Sequence, residues 1–442
     1  MQISLSDHFG YGRLARFTLP SVVMMIFTSI YGVVDGFFVS NYVGKTPFAA
    51  LNFIMPFLMI LGALGFMFGT GGAALIGKTM GEGQPAKANG LFSMLVYITA
   101  ASGVAIAALG IAFLRPVAAA LGAEGDMLEG CVAYGRVILI ALPAYMLQYE
   151  FQSLFVTAEK PKLGLAVTVG AGITNMTLDW LFVAVLRWGL EGAAAATALS
   201  QAVGGIVPLF YFGRPNTSRL RLTRCRFDGR ALGKACANGS SELLNNISMS
   251  LVSMLYNVRL IQYAGEDGVA AYGVLMYVNM IFLAAFVGYS VGVAPVVSYH
   301  YGAQNRPELK SLLRKSMVIT GVCSAGMLAL ALGLAAPLSY LFTGYDAGLY
   351  ALTLRGFSIF SFSFLFAGFG IFGSAFFTAL NDGLTSALIS FLRTLVFQVA
   401  AIWVLPALWG VDGIWASVVA AEGLAAVTTA LFLAGRRKKF GY

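Results

Sequence analysis

The sequence predicts an all-α integral membrane protein, with twelve transmembrane helices arranged as two six-helix lobes of a parallel repeat. Three observations carry this. Of 442 residues 59% are hydrophobic and only 11% charged, with a mean hydropathy of +0.81, which excludes an ordinary soluble protein. The apolar runs reach about 20 residues or more, which suits membrane helices and not the alternating ten-residue strands of a barrel. The chain also matches itself at one offset of 221 residues.

The runs place spans at 14–41, 50–76, 91–114, 130–157, 163–187, 190–212, 236–264, 270–298, 312–341, 350–379, 384–408 and 411–434. The first is too long for a signal peptide and lacks a cleavage site, so it is expected to stay as a span. An even number of spans puts both termini on one side. Twenty-one of the 28 Lys and Arg fall on that side, from Arg13 and Arg16 through the Arg214–Lys234 stretch to Arg436–Lys439, while the other side carries only Lys45, Arg115 and Arg187. The positive-inside rule makes the basic side cytoplasmic. The net charge of +9 is therefore a topology signal, and no nucleic-acid partner is expected. The four cysteines lie far apart with no His cluster, so neither a disulfide framework nor a metal site is indicated.

The longest polar stretch divides the chain into an N-terminal lobe (1–213), a basic cytoplasmic linker (214–230) and a C-terminal lobe (231–442). The offset pairs Gly44 with Gly265, Gly71 with Gly292, Gly81 with Gly302, Pro116 with Pro337, Thr157-Ala158 with Thr378-Ala379, and Gly189 with Gly410. These sit at helix ends and loops, where Gly and Pro answer backbone requirements. Six spans per copy give both copies one orientation, related by an axis along the membrane normal. Such a scaffold offers a central cleft and alternating access by rocking of the lobes.

The scaffold repeats, but its intramembrane polar residues do not. At this offset Asp35 faces Tyr256, Asn175 faces Val396, Asp179 faces Ala400 and Thr197 faces Val418. An acid at such depth is costly and marks an ion or proton path. At 1.5 Å per residue Asp35 lies roughly 9 Å, Asp179 roughly 12 Å and Thr197 roughly 10 Å from the outer helix ends. Asn175 and Asp179 share one helix face. Two neighbouring carboxylates in a low-dielectric pocket need a proton or Na⁺ to neutralise them, whereas a neutral cluster would serve only to pin three helices. The seventh span opens with a polar face that cannot meet lipid, and there Glu242 is a candidate substrate or proton carboxylate. Arg393, mid-span, is expected to be a structural charge paired with a carbonyl or with Glu422 or Glu242. Glu150, near the cytoplasmic end of its span, is expected to be solvated.

Gly72-Ala-Ala-Leu-Ile-Gly77-Lys78-Thr79 satisfies the phosphate-loop pattern. It ends a membrane helix with no α/β domain around it, so nucleotide binding is not expected. His8 and His300 are placed outside the spans, and no nucleophile with a base or metal triad appears. No enzyme, and no cofactor other than a coupling ion, is expected.

Val34-Asp35-Gly36, Asn41-Tyr-Val-Gly44, Ala49-Ala50-Leu51-Asn52, Gly81-Glu82-Gly83, Asn175-Met-Thr-Leu-Asp179-Trp-Leu-Phe182 and Gly192-Ala-Ala-Ala-Ala-Thr197 resemble the MATE (multidrug and toxic compound extrusion) transporters, nearest their MepA-like branch, over essentially the whole chain. The resemblance implies a cation-coupled (H⁺ or Na⁺) antiporter exporting lipophilic, mostly cationic drugs, acting as a monomer in the cell membrane. It also implies that Asp35, Asn175, Asp179 and Thr197 form the cation site. Some members carry an acid in the tenth span; here that helix has none, and Asp382 follows it in a turn, which favours a single site in the first lobe. A flippase for lipid-linked saccharides, of the same superfamily, is the alternative. It would need a basic cleft.

Overall fold

The computed structural model describes residues 3–43 and 45–442. Gly44, paired with Gly265 by the repeat, lies outside the described residues, as do the side chains of Asn41, Ala49 and Asn52, which carry part of the family resemblance.

The first half runs α1 (Tyr11–Tyr42), α2 (Lys45–Gly81), α3 (Pro85–Ala120), α4 (Gly125–Thr157), α5 (Pro161–Asp179, prolonged as a π-helical segment Trp180–Val185) and α6 (Gly189–Gly213). Next comes a 74-residue helical stretch, Gly229–Gly302. Straight, it would reach about 110 Å, several times the bilayer core. Instead Gly265 adopts φ 62° and ψ −152°, and the chain doubles back, because Ala235 and Ser298 both pack on α2 at Gly71 and Gly77. Its arms are α7 (229–264) and α8 (266–302). The second half ends with α9 (Arg306–Thr343), α10 (Ala347–Ala379), α11 (Gly383–Trp409, with a π-helical segment Leu392–Val396) and α12 (Val411–Phe440). Among the described residues eleven stretches are long and apolar enough to cross a membrane, and the break at Gly265 makes them twelve crossings.

The helices overrun their apolar cores because their polar ends still favour helix and are capped. Asp228 accepts from the Arg230 and Ala231 amides, Asn305 from Glu308 and Asp346 from Leu349. The repeat holds at 221 through the ends of α2 and α8 (Gly81, Gly302) and the left-handed residues Gly83 and Gln304 that follow. It slips to 222 at the next left-handed pair, Glu159 and Asn381. The cause is local: α9 has 38 residues against 36 in α3, and the turn after it is one residue shorter. The Thr157-Ala158 match at 221 is thus out of structural register by one.

Three apolar cores divide the molecule. One joins both halves at the end carrying the termini and the polar linker, here the linker side; it includes Phe9, Phe17, Ile76, Phe212, Val296, Leu312, Phe376 and Tyr442. Toward the far side the cores part. Val39, Ile54, Leu139 and Ala193 belong to a core of the first half, and Tyr256, Leu275, Phe360 and Trp415 to one of the second. Met24 and Met25 meet Ala284 between them. A cleft therefore opens to the far side and is floored and closed toward the linker side.

The closure depends on absent side chains. A Cβ on Gly81 would stand 2.0 Å from the Tyr299 carbonyl oxygen, and one on Gly302 2.0 Å from that of Lys78. The two contacts are each other's image at 221. Gly239 lies equally close to Met67, and Gly288 against Ser21 and Val22. Small residues let helices approach to backbone contact and pack tightly without a hydrophobic driving force. Gly72 and Gly77 of the apparent phosphate loop serve the same end, packed on Leu95 and Ser298.

The polar stretch 214–230 lies along α3, where Asn89 accepts from the Arg221 amide and Ser93 from that of Thr223. Two expectations are corrected. Glu150 is fully buried, because its turn of α4 packs on Gly69 of α2 and Thr99 of α3. His300 belongs to the last turn of α8 and is buried too.

Gly302→Val should cost about 1–3 kcal/mol through overpacking at the crossing. Gly90→Ala, where a Cβ meets nothing within 4 Å, should be neutral or slightly stabilising. Thermal unfolding of the two purified variants in detergent makes the comparison.

Candidate functional site

The sequence-selected residues of the first half converge. α1 brings Asp35, α5 brings Asn175 and Asp179, and α6 brings Thr197. Asn175 Nδ2 donates to Thr197 Oγ1 at 3.5 Å, and Thr197 Oγ1 donates to Asp35 Oδ1 at 3.4 Å. The Asp35 and Asp179 carboxyls are near enough to act on each other electrostatically. Asp179 and Asn175 are 0% and 1% exposed, whereas Asp35 keeps accessible surface. Among the described residues, both Asp179 oxygens and Asn175 Oδ1 have no donor, and no cationic side chain acts on either carboxyl. Buried charge without a partner is expensive. Chemically, the cluster offers several unshared oxygens and an unmet demand for one positive charge.

Local structure sets this geometry. Asp179 is the last α-helical residue of α5 before the backbone widens into the π-helical segment, a feature common at functional sites. Gly172, one turn before Asn175, has Phe27 and Tyr31 of α1 where a Cβ would stand, so α1 and α5 approach closely.

Sequence reasoning missed Tyr134. This fully buried residue of α4 lies near Thr197 and both carboxylates, and its hydroxyl donates to Met55 Sδ at 3.8 Å. Nothing distinguishes it in sequence from the other membrane tyrosines. Tyr31, one turn from Asp35, was missed for the same reason and lies near Gln148.

The second half places a different centre there. Arg393, inside the π-helical segment of α11, donates through Nε to Glu422 Oε2 at 2.8 Å and through its NH2 group to Glu422 Oε1 at 3.0 Å. Glu242 of α7 also feels Arg393. Tyr256, at the position equivalent to Asp35, donates to Gln398 at 2.8 Å. Here Arg393 and Glu422 balance each other within the protein. Glu242 and Arg393 do not join the Asp35 cluster.

Twelve crossings in two like halves, with unpaired acids at depth in one, define a multi-pass membrane transporter. The chain belongs to the MatE family, whose model matches residues 20–181 and 243–404, once in each half. It is 22% identical to the multidrug export protein MepA of Staphylococcus haemolyticus over 94% of this chain and 91% of that one. To its namesake in Staphylococcus aureus it is 21% identical, over 96% and 93%. Among solved structures, an outward-facing multidrug resistance MATE family transporter of the MOP superfamily superimposes with a TM-score of 0.93 at 22% identity, over 98% and 97% of the two chains. A MOP superfamily transporter from Pyrococcus furiosus, whose binding pocket of reverse polarity is described as suggesting a different function, gives 0.91 at 22%, over 98% of each.

Arg393→Met should destabilise the protein by about 3–5 kcal/mol, because it strands Glu422 without its partner. The double variant Arg393→Met, Glu422→Leu should recover most of that loss in the same unfolding assay. A double variant no better than the single one would show that the ion pair is not the reason for the damage.

Proposed function

We propose that this protein is a cation-coupled antiporter that exports lipophilic organic cations, with Asp35, Asn175, Asp179 and Thr197 as the coupling-ion site. The observation that carries the reading is the Asp35–Asp179 pair, two neighbouring acids that have no basic partner among the described residues and stand beside unshared oxygens. A proton or Na⁺ entering from the far side meets that demand. The MepA relatives are named multidrug export proteins and the outward-facing neighbour a multidrug resistance transporter, which supports drug export as the task.

The cycle follows from the asymmetry between the two ends. With the 1–213 and 231–442 lobes closed at their glycine crossing, the cleft faces the far side, which the distribution of basic residues makes the exterior. Cation uptake at the acid pair removes negative charge that a cationic drug would otherwise use, so ion and drug compete and their movements are linked. Rocking of one lobe against the other then presents the cleft to the cytoplasm, where the termini and the 214–230 linker lie. Glu242 supplies a second carboxylate toward the cleft. A flippase for lipid-linked saccharides would need basic groups for pyrophosphate, but Arg393 is held by Glu422 and the cleft offers acids instead.

The test is efflux of a fluorescent organic cation from liposomes holding the purified protein, under an imposed pH gradient and, separately, a Na⁺ gradient. One gradient should drive transport and so identify the coupling ion. Asp35→Asn and Asp179→Asn should each lower driven efflux by about a hundredfold while inserting normally. Failure of both to insert would favour a structural role for the cluster. Glu242→Gln should weaken export of cations more than of neutral compounds, and equal loss would exclude direct contact with the cargo's charge.

A further inference from the structure

Below the carboxylate pair the first half contains a column of buried polar side chains that the coupling site does not use. Gln201 lies one turn from Thr197 along α6, toward the linker side. Gln148 of α4 packs on Gly204 of α6, whose Cβ would come within 2.6 Å of its Cδ. That contact stands about 10 Å from the level of Thr197 and on the face of α6 that Gln201 shares. Tyr31, one turn below Asp35 on α1, lies near Gln148 and borders the column from the other side. Gln152 continues the column one turn further along α4.

These glutamines are 3%, 3% and 7% exposed for Gln148, Gln152 and Gln201. Yet four of their polar atoms, Gln148 Oε1, Gln152 Oε1 and Nε2, and Gln201 Oε1, have no partner among the described residues. Side chains serving to pin helices would spend those atoms on each other or on the backbone. Buried polar groups left open by the protein are instead satisfied by ordered water. Toward the linker side the column meets a wall of rings. Phe212 stacks on Phe151 at 5.7 Å between centroids, with Phe155 at 5.3 Å and Phe92 at 5.0 Å.

We propose that Gln148, Gln152 and Gln201, with Tyr31, line a hydrated relay that carries protons between the Asp35–Asp179 pair and the linker side, interrupted in this conformation by Phe151 and Phe212. It rests on the reading of that pair as the coupling site and assigns the coupling ion as H⁺. In each transfer a carboxyl O–H bond breaks, its electron pair stays on the carboxylate, and the proton joins the adjacent water as hydronium before passing on. The amides gain and lose no proton; they hold the waters in file. The titratable groups around the column are Asp35 and Tyr31 on α1, Tyr145 and Tyr149 on α4, Asp179 on α5 and Tyr211 at the linker end of α6. α2 brings none between residues 53 and 77, and Glu150 is turned toward Thr99 of α3.

The experiment compares Gln148→Leu, Gln152→Leu and Gln201→Leu with Gln152→Asn, a polar variant that keeps room for water. Gln152→Met serves as a less branched apolar variant if a leucine prevents insertion. Ethidium binding in detergent, with its displacement by acid, reads the carboxylate pair. Proton movement in liposomes, followed with a trapped pH dye, reads the relay. The apolar variants should bind and release ethidium within about twofold of the parent but move protons about tenfold more slowly, and Gln152→Asn should move them normally. Parent-like proton movement in all the apolar variants overturns the relay. If acid fails to displace ethidium from the parent protein itself, the coupling-site reading falls and takes the relay with it.

Discussion

The structure depends on two backbones touching. Where α2 crosses α8, no side chain separates the chains, and Gly81 and Gly302 each rest on the opposite helix's carbonyl through symmetric contacts with Tyr299 and Lys78. Because membrane helices gain little from burying apolar surface against one another, close approach and dispersion must hold the halves together. The shared apolar core exists only where that approach is possible. Beyond it the halves keep separate cores, and the cleft is the space between them. Closure at one end and opening at the other are one geometric fact.

Within this symmetric frame the charges are distributed unequally. The second half answers Arg393 with Glu422 in a two-point ion pair, and the position equivalent to Asp35 is Tyr256, satisfied by Gln398. The first half sets Asp35 beside Asp179, with no basic side chain among the described residues acting on either. The duplicated scaffold thus differs between its copies, one holding neighbouring acids without a basic partner and the other pairing Arg393 with Glu422. The π-helical widening in both α5 and α11 falls at the charged residue in each case, so the irregular backbone tracks the polar centres and not the repeat.

Much of this was legible in the sequence, for identifiable reasons. Bilayer thickness forces helix length, so every span could be read from its apolar run. Glycine at a helix end or crossing has a backbone cause, so Gly81, Gly302 and Gly265 were visible as a repeat. Asp35, Asn175, Asp179 and Thr197 stood out because polar atoms in lipid are conspicuous. Tyr134 did not, since a tyrosine is ordinary in a membrane protein and only packing shows which one lies near Thr197. Glu150 looked solvated from its place near a helix end, yet burial depends on the neighbouring helices, and α2 and α3 cover it. The one-residue slip at Glu159 and Asn381 was invisible because the two extra residues of α9 are only partly offset by its shorter turn, and neither change leaves a gap in the apolar pattern.

The Arg393–Glu422 pair also bears on how the protein responds to voltage. A unit charge carried across the membrane field exchanges about 2.3 kcal/mol per 100 mV, whereas a tightly joined opposite pair moves as a small dipole and exchanges almost nothing. On the proposed cycle of rocking lobes, the pair contributes almost no charge movement in the second half at that depth. On that reading the membrane potential acts chiefly on the charge state of the Asp35–Asp179 pair and on the cargo, so the energy stored across the bilayer is delivered to the half proposed to bind the ion.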